Sequence, residues 1–319
     1  MSDAPIQIDW PERAAALDAR MGSSALEPSV ARHLAEASPC KVLIACSGGA
    51  DSVFMLCILS AKAKELGLKL YLAHYNHRWR GDESTADAAF VASLAEAFGL
   101  TFSSEERPSG EAAFTETTAR ALRLDFLRKV ADEFACDCIL FGHQLDDIIE
   151  TQLQRIARGC GSDGLAAPRP VALFEGRPTH LRPILHLRAG DIRMALNATS
   201  IPWREDLSND DVSIARNALR KSIVPELSES LGRDAPVGAA RSRRLFEEDA
   251  DALDALARLK LPEAFQHAPS LNREKLRSIP VALTRRALAD WLSGHGLIAS
   301  VSAPAMDILI EILLSTCVL

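Results

Sequence analysis

Short apolar runs alternate with longer segments of helical periodicity through the first two thirds of the chain. Five apolar runs predict β-strands, at residues 42–46, 68–75, 100–104, 136–142 and 181–185. The intervening and following segments carry apolar residues every three or four positions and predict helices at 52–66, 83–98, 115–134, 145–157 and 189–198. Strands alternating with helices are typical of βαβ units, so we expect an α/β fold whose parallel sheet is covered on both faces.

The two ends of the chain follow a different pattern, without strands. Helical spacing predicts helices at 14–21 and 29–37, and again at 236–259, 278–295 and 304–315. We therefore expect three parts, which are an N-terminal helical extension at 1–40, an α/β domain at 41–227 and a small all-helical domain at 228–319.

Composition narrows the class of protein. Hydrophobic residues make up 48% of the 319 residues and charged residues 25%, as in ordinary globular chains. No apolar run approaches the roughly 18 residues of a membrane span, and the N-terminus does not resemble a secretory signal. The seven cysteines form no Cys-x-x-Cys pair, which favours reduced thiols in a cytoplasmic protein over a zinc ribbon or an iron–sulfur framework.

Charge is distributed unevenly along the chain. The net charge is −7, which by itself argues against non-specific binding of nucleic acid. Residues 151–244 nevertheless hold 15 Lys and Arg against 10 Asp and Glu. A basic middle within an acidic chain is compatible with a polyanionic partner at one face, although ordinary surfaces also vary in charge.

A glycine-rich segment follows the first predicted strand and opens a predicted helix; it consists of Ser47, Gly48, Gly49, Ala50, Asp51 and Ser52. Adjacent glycines let several backbone N–H groups turn toward an anion, and the helix N-terminus adds partial positive charge. The serine hydroxyls can donate to phosphate oxygens, whereas Asp51 suits such a site only with a cation, so we expect Mg²⁺ there. The plainer alternative is a Gly-Gly turn capped by Asp and Ser. The segment lacks the GK[ST] ending of a Walker loop.

Two histidines, His74 and His77, end the second predicted strand. They can contact a nucleotide, or they can bond only to the backbone of a turn. A zinc site made of His74, His77 and His143 is a further alternative, although no cysteine stands at ligand spacing.

Two pairs of charged residues are spaced so that their members share a helix face. Arg120 and Arg123 can together present a guanidinium to phosphate, or they can form a solvated basic face. Asp147 and Glu150 follow the fourth predicted strand and suit a ligand with two amines, such as lysine. The alternative for these carboxylates is a simple preference for the positive end of a helix.

Residues in the basic middle offer contacts to RNA. Arg216 and Arg220 lie one helical turn apart and suit backbone phosphates, and Trp203 can stack on a base. Arg158 lies in a glycine-containing segment at 155–165 and adds a further cation. The alternative is a capped loop with the tryptophan in the core and the arginines in solvent.

These segments resemble those of a known superfamily. Residues 47–52 match the SGGxDS signature of the PP-loop ATP pyrophosphatases. Within that superfamily, the segments 74–83, 116–127, 143–151, 155–165 and 201–225 resemble the tRNA(Ile)-lysidine synthetases. Trp79 stands where that family usually has Leu, and Leu124 where it usually has Tyr. The resemblance covers roughly 41–227, is weaker over 271–296 and does not include the separate C-terminal domain of longer members.

The resemblance implies a Rossmann-type fold like that of the adenine nucleotide alpha-hydrolases, with 41–227 as the catalytic domain and 228–319 as a tRNA-binding or accessory domain. It also implies a ligase that uses ATP and Mg²⁺. Members join free L-lysine to C2 of the wobble cytidine of tRNA(Ile) with anticodon CAU, through an adenylated cytidine, and release AMP and pyrophosphate. A cytoplasmic location without a membrane follows from this, and a homodimer is compatible with it.

The resemblance assigns roles to individual residues. ATP would bind to the 47–52 loop and to His74, and Mg²⁺ to Asp51. Catalysis would involve Asp51, Arg120, Arg123, Asp147 and Glu150. Lysine would bind to Asp147 and Glu150, and tRNA to Arg158, Trp203, Arg216 and Arg220.

Two other functions remain open at this point. A 2-thiocytidine tRNA synthetase needs a cluster held by Cys-x-x-Cys pairs, and this chain offers only Cys136-x-Cys138. A catalytically silent nucleotide-binding or tRNA-binding protein is the other alternative. The intact 47–52 loop argues against it, since nothing that the chemistry requires is visibly lost.

Overall fold

The computed structural model describes residues 8–78, 82–107, 116–205 and 215–315. Trp79 and residues 206–214 of the 201–225 segment therefore lie outside the described residues. The chain forms two compact units, one of Met1–Ala157 with Pro168–Ala240 and the other of Arg158–Ala167 with Arg241–Leu319.

A six-stranded sheet forms the centre of the first unit. Its strands are β1 Cys40–Ala45, β2 Leu68–Asn76, β3 Thr101–Glu106, β4 Cys138–Phe141, β5 Val171–Ala172 and β6 Thr179–Leu181. They lie in the order β3-β2-β1-β4-β6-β5, and every neighbouring pair is parallel except β5 with β6. The predicted α/β fold with a mainly parallel sheet is confirmed.

Helices make up most of the remaining described chain. The first eight are α1 Trp10–Met21, α2 Pro28–Glu36, α3 Ala50–Lys62, α4 Asp82–Ala97, α5 Glu116–Glu133, α6 Asp146–Arg158, α7 Ser162–Leu165 and α8 Ala189–Ala198. The rest are α9 Ala215–Ala218, α10 Val224–Leu231, α11 Ala235–Lys260, α12 Pro262–Phe265, α13 Arg273–Arg277, α14 Val281–Gly294 and α15 Ala303–Leu314. A π-helical segment, Leu219–Ile223, joins α9 to α10.

Both faces of the sheet are covered, which explains why its central strands are almost wholly apolar. On β1, Val42 and Ile44 pack in one hydrophobic cluster, whereas Leu43 between them packs in the other. The first cluster includes the apolar faces of α1, α3 and α8, and the second includes the buried face of α5.

The N-terminal helices belong to the first of these clusters. Leu17 of α1 and Leu34 of α2 are fully buried in it, together with β1 and α3. The predicted domain ranges 1–40, 41–227 and 228–319 remain predictions, and the bounds of the two compact units fall elsewhere along the chain.

The end of the sheet differs from the prediction. Of the strand predicted at 181–185, only Leu181 lies in β6; residues 182–185 form a turn in which Leu185 N–H donates to the carbonyl of Arg182 at 3.3 Å. Pro183 has no N–H for a strand ladder, which explains why this run leaves the sheet. The antiparallel β5 was not predicted, because two residues are too short to establish an alternating pattern.

The second unit is helical, as expected for the C-terminal part. Its core consists of Leu261, Ala264, Leu276, Ala287, Leu288, Leu292, Met306 and Ile310. Within it, Arg286 pairs with Asp254 at 2.5 Å and donates to the hydroxyl of Ser162 at 3.0 Å. Over the described residues, the structure contains no helix of the length and apolarity that a membrane span requires.

Candidate active site

Two strand–helix junctions meet at the carboxyl edge of the sheet, where β1 leads into α3 and β4 leads into α6. The chain continues from β1 to β2 on one side and from β4 toward β6 on the other, which makes this the topological switch point where α/β sheets bind ligands. Gly142 allows the two junctions to approach closely, since a Cβ there would lie 3.3 Å from the backbone of Asp51 and Ser52.

The loop of the first junction is held by its own serines. The hydroxyl of Ser52 accepts from Ser47 N–H at 3.2 Å and donates to the carbonyl of Gly49 at 3.0 Å. The hydroxyls of Ser47 and Ser52 are also 3.2 Å apart. Gly49 precedes the first turn of α3 without a side-chain cap. The loop therefore presents backbone donors at a helix N-terminus, as an anion-binding site requires.

Gly48 turns the loop in a conformation that favours glycine, with φ at 88°. A Cβ at this position would also contact Phe90 and Val91 at 3.4 Å. The carbonyl of Gly48 accepts from Arg204 N–H at 2.9 Å, and Arg204 Nε donates to Asp87 at 2.8 Å. Arg204 thus holds the loop from a distant part of the chain.

His74 lies below the loop and is buried. Its Nδ1 is 2.9 Å from the carbonyl of Cys46, the residue between β1 and the loop. Burial lowers the pKa of His74, although this backbone bond opposes the shift. The neutral ring therefore supports the base of the loop.

Asp51 stands where the two junctions meet. Burial and the nearby charge of Asp147 raise its pKa to about 7, while Arg220 and Arg193 oppose this shift. A carboxylate in this position is unfavourable unless a cation reaches it.

The described residues fit Mg²⁺ in this respect. Asp51 supplies one hard oxygen ligand at the mouth of the loop, and Mg²⁺ is commonly held by one or two carboxylates together with substrate phosphates. No group of three or more His, Cys, Asp or Glu residues in the described ranges is placed to hold a metal ion by itself. The zinc alternative for His74, His77 and His143 finds no support there.

The second junction is built from carboxylates. Asp147 Oδ2 accepts from Gln144 N–H at 2.9 Å, and Gln144 Oε1 accepts from Asp146 N–H at 2.6 Å. These reciprocal bonds begin α6 and direct Asp147 and Glu150 to one side. Both carboxylates are buried, at 5% and 1% exposure.

Two arginines from the segment after α8 neutralise these carboxylates. Arg216 donates from Nε to Glu150 at 2.8 Å and from a terminal nitrogen to Asp147 at 2.6 Å. Arg220 makes the same two contacts, at 2.6 Å to Glu150 and 3.1 Å to Asp147. The structure thus joins the pair predicted for lysine with the pair predicted for tRNA in one network of four charges.

The two carboxylates and two guanidinium groups of this network balance each other, which affects the charge of a ligand that it can bind. Burial alone would lower the pKa of Arg216, but Asp147 and Glu150 outweigh burial and raise it. Paired carboxylates of this kind can still accept hydrogen bonds from an amine, while the adjacent guanidinium groups disfavour an additional positive charge.

Other cations gather on the same side of the site. Burial, with the charges of Arg120 and Arg216, lowers the pKa of Arg123 to about 10. Burial also lowers the pKa of His77 to about 4, and Arg123 adds to that shift. The pKa of His143 lies well below its ordinary value because of burial and four surrounding arginines. This clustering favours anionic ligands.

The remaining predicted residues lie in varied surroundings. Arg120 is exposed on α5, and Arg158 is exposed and belongs to the second compact unit. Trp203 is half-buried against the first hydrophobic cluster, and its Nε1 donates to Glu205 at 2.7 Å. The site roles predicted from the sequence stay predictions for all of these residues.

Sequence reasoning assigned no role to Arg204, Gln144 or Arg193. Arg204 lies in the 201–225 segment that resembles the family, so a signal existed, but nothing local indicated a bond to Gly48. Gln144 precedes the carboxylate pair and is fully buried. Arg193 lies on α8, and only the fold brings it within electrostatic range of Asp51.

Comparisons with known proteins identify the family of this chain. A model of the PP-loop domain family matches residues 23–227. The chain is 31% identical over 276 residues to the tRNA(Ile)-lysidine synthase of Nostoc sp. (strain PCC 7120), which covers 82% of this chain and 80% of that protein. It is 41% identical over 192 residues to the tRNA(Ile)-lysidine synthase of Solibacter usitatus, covering 60% of this chain and only 42% of that protein.

A solved structure shares the fold. The U34-tRNA thiolase NcsA from Methanococcus maripaludis superposes with a TM-score of 0.54 over 75% of this chain and 79% of its own, at 16% sequence identity. The PP-loop match and the close relatives, of which the Nostoc protein is covered over four fifths of its length, establish that the chain belongs to the tRNA(Ile)-lysidine synthase family of PP-loop proteins.

Proposed function

We propose that this chain is an ATP-dependent ligase that joins free L-lysine to C2 of the wobble cytidine of tRNA(Ile) with anticodon CAU. The observation that carries the proposal is the meeting of two sites at one sheet edge. A glycine-rich anion loop and a buried carboxylate pair lie on adjacent strand–helix junctions, which is what a nucleotide and an amine need in order to react with one substrate atom.

The reaction has two steps. The C2 oxygen of the cytidine attacks the α-phosphorus of ATP, the bond to pyrophosphate breaks, and the oxygen becomes part of an AMP leaving group. The ε-amine of lysine then attacks C2, the carbon–oxygen bond breaks, AMP departs and the nitrogen loses a proton. The cytosine has to leave the anticodon stack to reach the site.

The first step needs stabilisation of phosphate charge. The N–H groups of the 47–52 loop would bind the phosphates, and Asp51 would hold Mg²⁺, which neutralises phosphate charge when bound. Arg123, on the cationic side of the site, would stabilise the charge that develops during transfer. His74 would keep the base of the loop in place.

The second step needs an oriented and uncharged amine. Asp147 and Glu150 would accept hydrogen bonds from the ε-amine. Because Arg216 and Arg220 balance these carboxylates, the site would not stabilise an ammonium strongly, which favours the neutral nucleophile.

The tRNA would meet the basic middle of the chain. Arg158 and exposed parts of Arg216 and Arg220 are suited to phosphates, and Trp203 offers a face for stacking. We also place the reaction in the cytoplasm, and a homodimer remains compatible with the proposal.

The test is incorporation of labelled lysine into a transcript of tRNA(Ile) with the CAU anticodon, in the presence of ATP and Mg²⁺. Parent enzyme is compared with Asp51→Ala and Glu150→Ala, and with the control Glu36→Ala, which changes an exposed carboxylate at the end of α2. We expect label with the parent and the control only.

Two results would contradict the proposal in different ways. Pyrophosphate release that depends on tRNA, without incorporation of lysine, would mean that the loop works but that the nucleophile is another compound. Neither label nor pyrophosphate, from folded protein with the correct transcript, would indicate a binding protein instead of an enzyme.

A further inference from the structure

A cavity of about 460 Å³ opens beside the carboxylate pair, within the first compact unit. Its volume lies in the range of about 300–1,000 Å³ that is typical of small-ligand sites. Glu150 and Arg220 line one part of it, whereas Arg188 and Asp234 line another. The roles given above to the site residues do not use the second part.

The cavity lining has the chemistry of an amino-acid site and not of a base site. Among the described residues that line it, three are acidic and three are arginines, and none is aromatic. A nucleobase usually stacks on an aromatic side chain. A balanced set of opposite charges instead suits a small ligand that carries both signs.

The second part of the cavity carries one cationic and one anionic side chain, which complement the α-carboxylate and α-ammonium of an amino acid. Arg188 and Asp234 form an ion pair, and Arg188 also lies 3.7 Å from Asp146. Both members of the pair retain exposure, at 34% and 51% of the side chain, so a ligand can reach them. An arginine can take a carboxylate in a bidentate way, and an aspartate can take an ammonium.

Gln144 provides an independent sign of a ligand. It lines the same cavity, it is fully buried, and its Nε2 has no hydrogen-bond partner among the described residues. A buried donor without a partner costs free energy, and a carboxylate in the cavity would supply the acceptor. The amide therefore favours an anionic group on the bound molecule.

The spacing between the two parts suits a stretched aliphatic chain. Arg220 of the π-helical segment and Val224 and Ser228 of α10, which follows it, all line the cavity. Arg220 contacts Glu150, and Ser228 Oγ accepts from Ala235 N–H next to Asp234. Asp146, which Arg188 contacts, and Glu150 lie four residues apart on α6, a rise of about 6 Å, which is close to the length of an extended lysine side chain. Val224, Pro225 and Ile149 add apolar surface to the lining.

We propose that Arg188, Asp234 and Gln144 form a subsite for the α-carboxylate and α-ammonium of the amino-acid substrate, at the far end of the cavity from Glu150. This inference rests on the proposed function, since it names the part of the site that distinguishes L-lysine from other primary amines. Arg188 and Gln144 bind the carboxylate, Asp234 binds the ammonium, and the methylene chain lies against the apolar wall.

The test uses substrates that each lack one head group. Cadaverine has no carboxylate, and 6-aminohexanoate has no α-amine. Incorporation of each amine into the transcript is measured for the parent, Arg188→Gln, Asp234→Asn and the control Arg233→Gln, which changes an exposed neighbour that does not line the cavity.

We expect the parent to show at least a tenfold higher KM for either truncated amine than for lysine. Asp234→Asn should raise the KM for lysine about tenfold but leave that for 6-aminohexanoate nearly unchanged. Arg188→Gln should raise the KM for lysine about tenfold but leave that for cadaverine, which has no carboxylate, nearly unchanged. In both variants kcat should change little, because the reacting end of lysine lies at Glu150.

An equal rise in KM for all three amines, or no rise relative to Arg233→Gln, would overturn the subsite. Calorimetric titration of each protein with L-lysine separates this failure from failure of the proposed function. If lysine binds the parent tenfold more tightly than it binds Asp234→Asn but is not incorporated into the transcript, the subsite is supported and the proposed reaction is wrong. Equal lysine affinity in parent and variants would contradict the subsite, whichever reaction the protein catalyses.

Discussion

The two strand–helix junctions at the edge of the sheet are built on the same plan but hold their charges differently. The β1–α3 junction has a glycine-rich loop whose donors are backbone N–H groups, with Asp51 as its one ionisable side chain. The β4–α6 junction has two buried carboxylates that the protein itself neutralises with Arg216 and Arg220. The first junction is arranged for an external anion, whereas the second already contains its counter-ions.

This difference follows from the positive end of a helix. At α3 the N–H groups have no side-chain acceptor from a cap, so a phosphate can accept from them. At α6 the N–H of Asp146 already donates to Gln144 Oε1, and the Asp147 carboxylate accepts in return from the N–H of Gln144. The positive helix end is therefore open to an external anion at the first junction, whereas a local side chain already occupies a donor at the second.

The largest expected effect comes from the residue between the junctions. Asp51→Asn should reduce lysine incorporation by at least about 1,000-fold, because it removes the carboxylate expected to hold Mg²⁺. The same variant should unfold at a higher temperature at pH 8 without ligands. In the folded chain the pKa of Asp51 is about 7, above its usual 3.8, so its contribution to stability falls as pH rises from about 4 to about 7.

Thermal unfolding at pH 4 and pH 8 checks the second part. The gain in melting temperature should appear at pH 8 and nearly vanish at pH 4, where the folded protein holds this carboxyl in its protonated form. A gain of the same size at both pH values would mean that the charge of Asp51 is not the cause.

The second prediction concerns the asymmetry of the four-charge network. Arg216→Met should lower the free energy of unfolding by about 2–4 kcal/mol, because it leaves buried Asp147 and Glu150 with one guanidinium. Glu150→Gln should cost less, about 1–2 kcal/mol, because the arginines are 30% and 40% exposed and can turn to water.

Urea unfolding of both variants and of the double variant measures this asymmetry and the coupling between the two positions. We expect the double variant to be less destabilised than the sum of the single ones. Additive losses would show that Arg216 and Glu150 contribute to stability independently. The β4–α6 junction would then not be stabilised by pairing of its charges.

The third prediction separates backbone from ligand requirements in the loop. Gly48→Ala should destabilise the protein by about 1–2 kcal/mol, because its φ of 88° disfavours a side chain. Gly49→Ala should leave stability nearly unchanged, since its φ is −73° and a Cβ would lie at ordinary contact distances, 3.6 Å from Ser47 Oγ and 4.0 Å from the Arg204 carbonyl oxygen. If Gly49 lines the phosphate site, its variant should bind ATP at least tenfold more weakly, as measured by equilibrium dialysis.

The smallest expected effect is on the pH dependence of stability and comes from one buried histidine. His180 of β6 is buried between Phe141 and Phe174, and burial, with Arg182 and Arg128, lowers its pKa to about 4. Its neutral form is favoured in the folded chain, so stability should fall as pH drops from about 6.5 toward 4. His180→Gln should reduce the loss of melting temperature between pH 7 and pH 5, and an unchanged loss would assign it to other groups.

Much of the fold was predictable because local patterns and burial coincide. The apolar runs of β1, β2 and β4 predict strands because both faces of the sheet are covered. The predicted strand 181–185 was mostly wrong because a buried turn can be as apolar as a buried strand, and periodicity over so few residues cannot separate the two.

The candidate site divides in the same way. The sequence by itself determined the 47–52 loop and the shared face of Asp147 and Glu150, because both depend on contacts within a few residues. Only the tertiary structure decided that Arg216 and Arg220 pair with those carboxylates, that Arg204 holds Gly48, and that Arg188 and Asp234 border one cavity. These contacts join residues 46 to 156 positions apart, and no local spacing encodes a distance that depends on how the sheet is ordered.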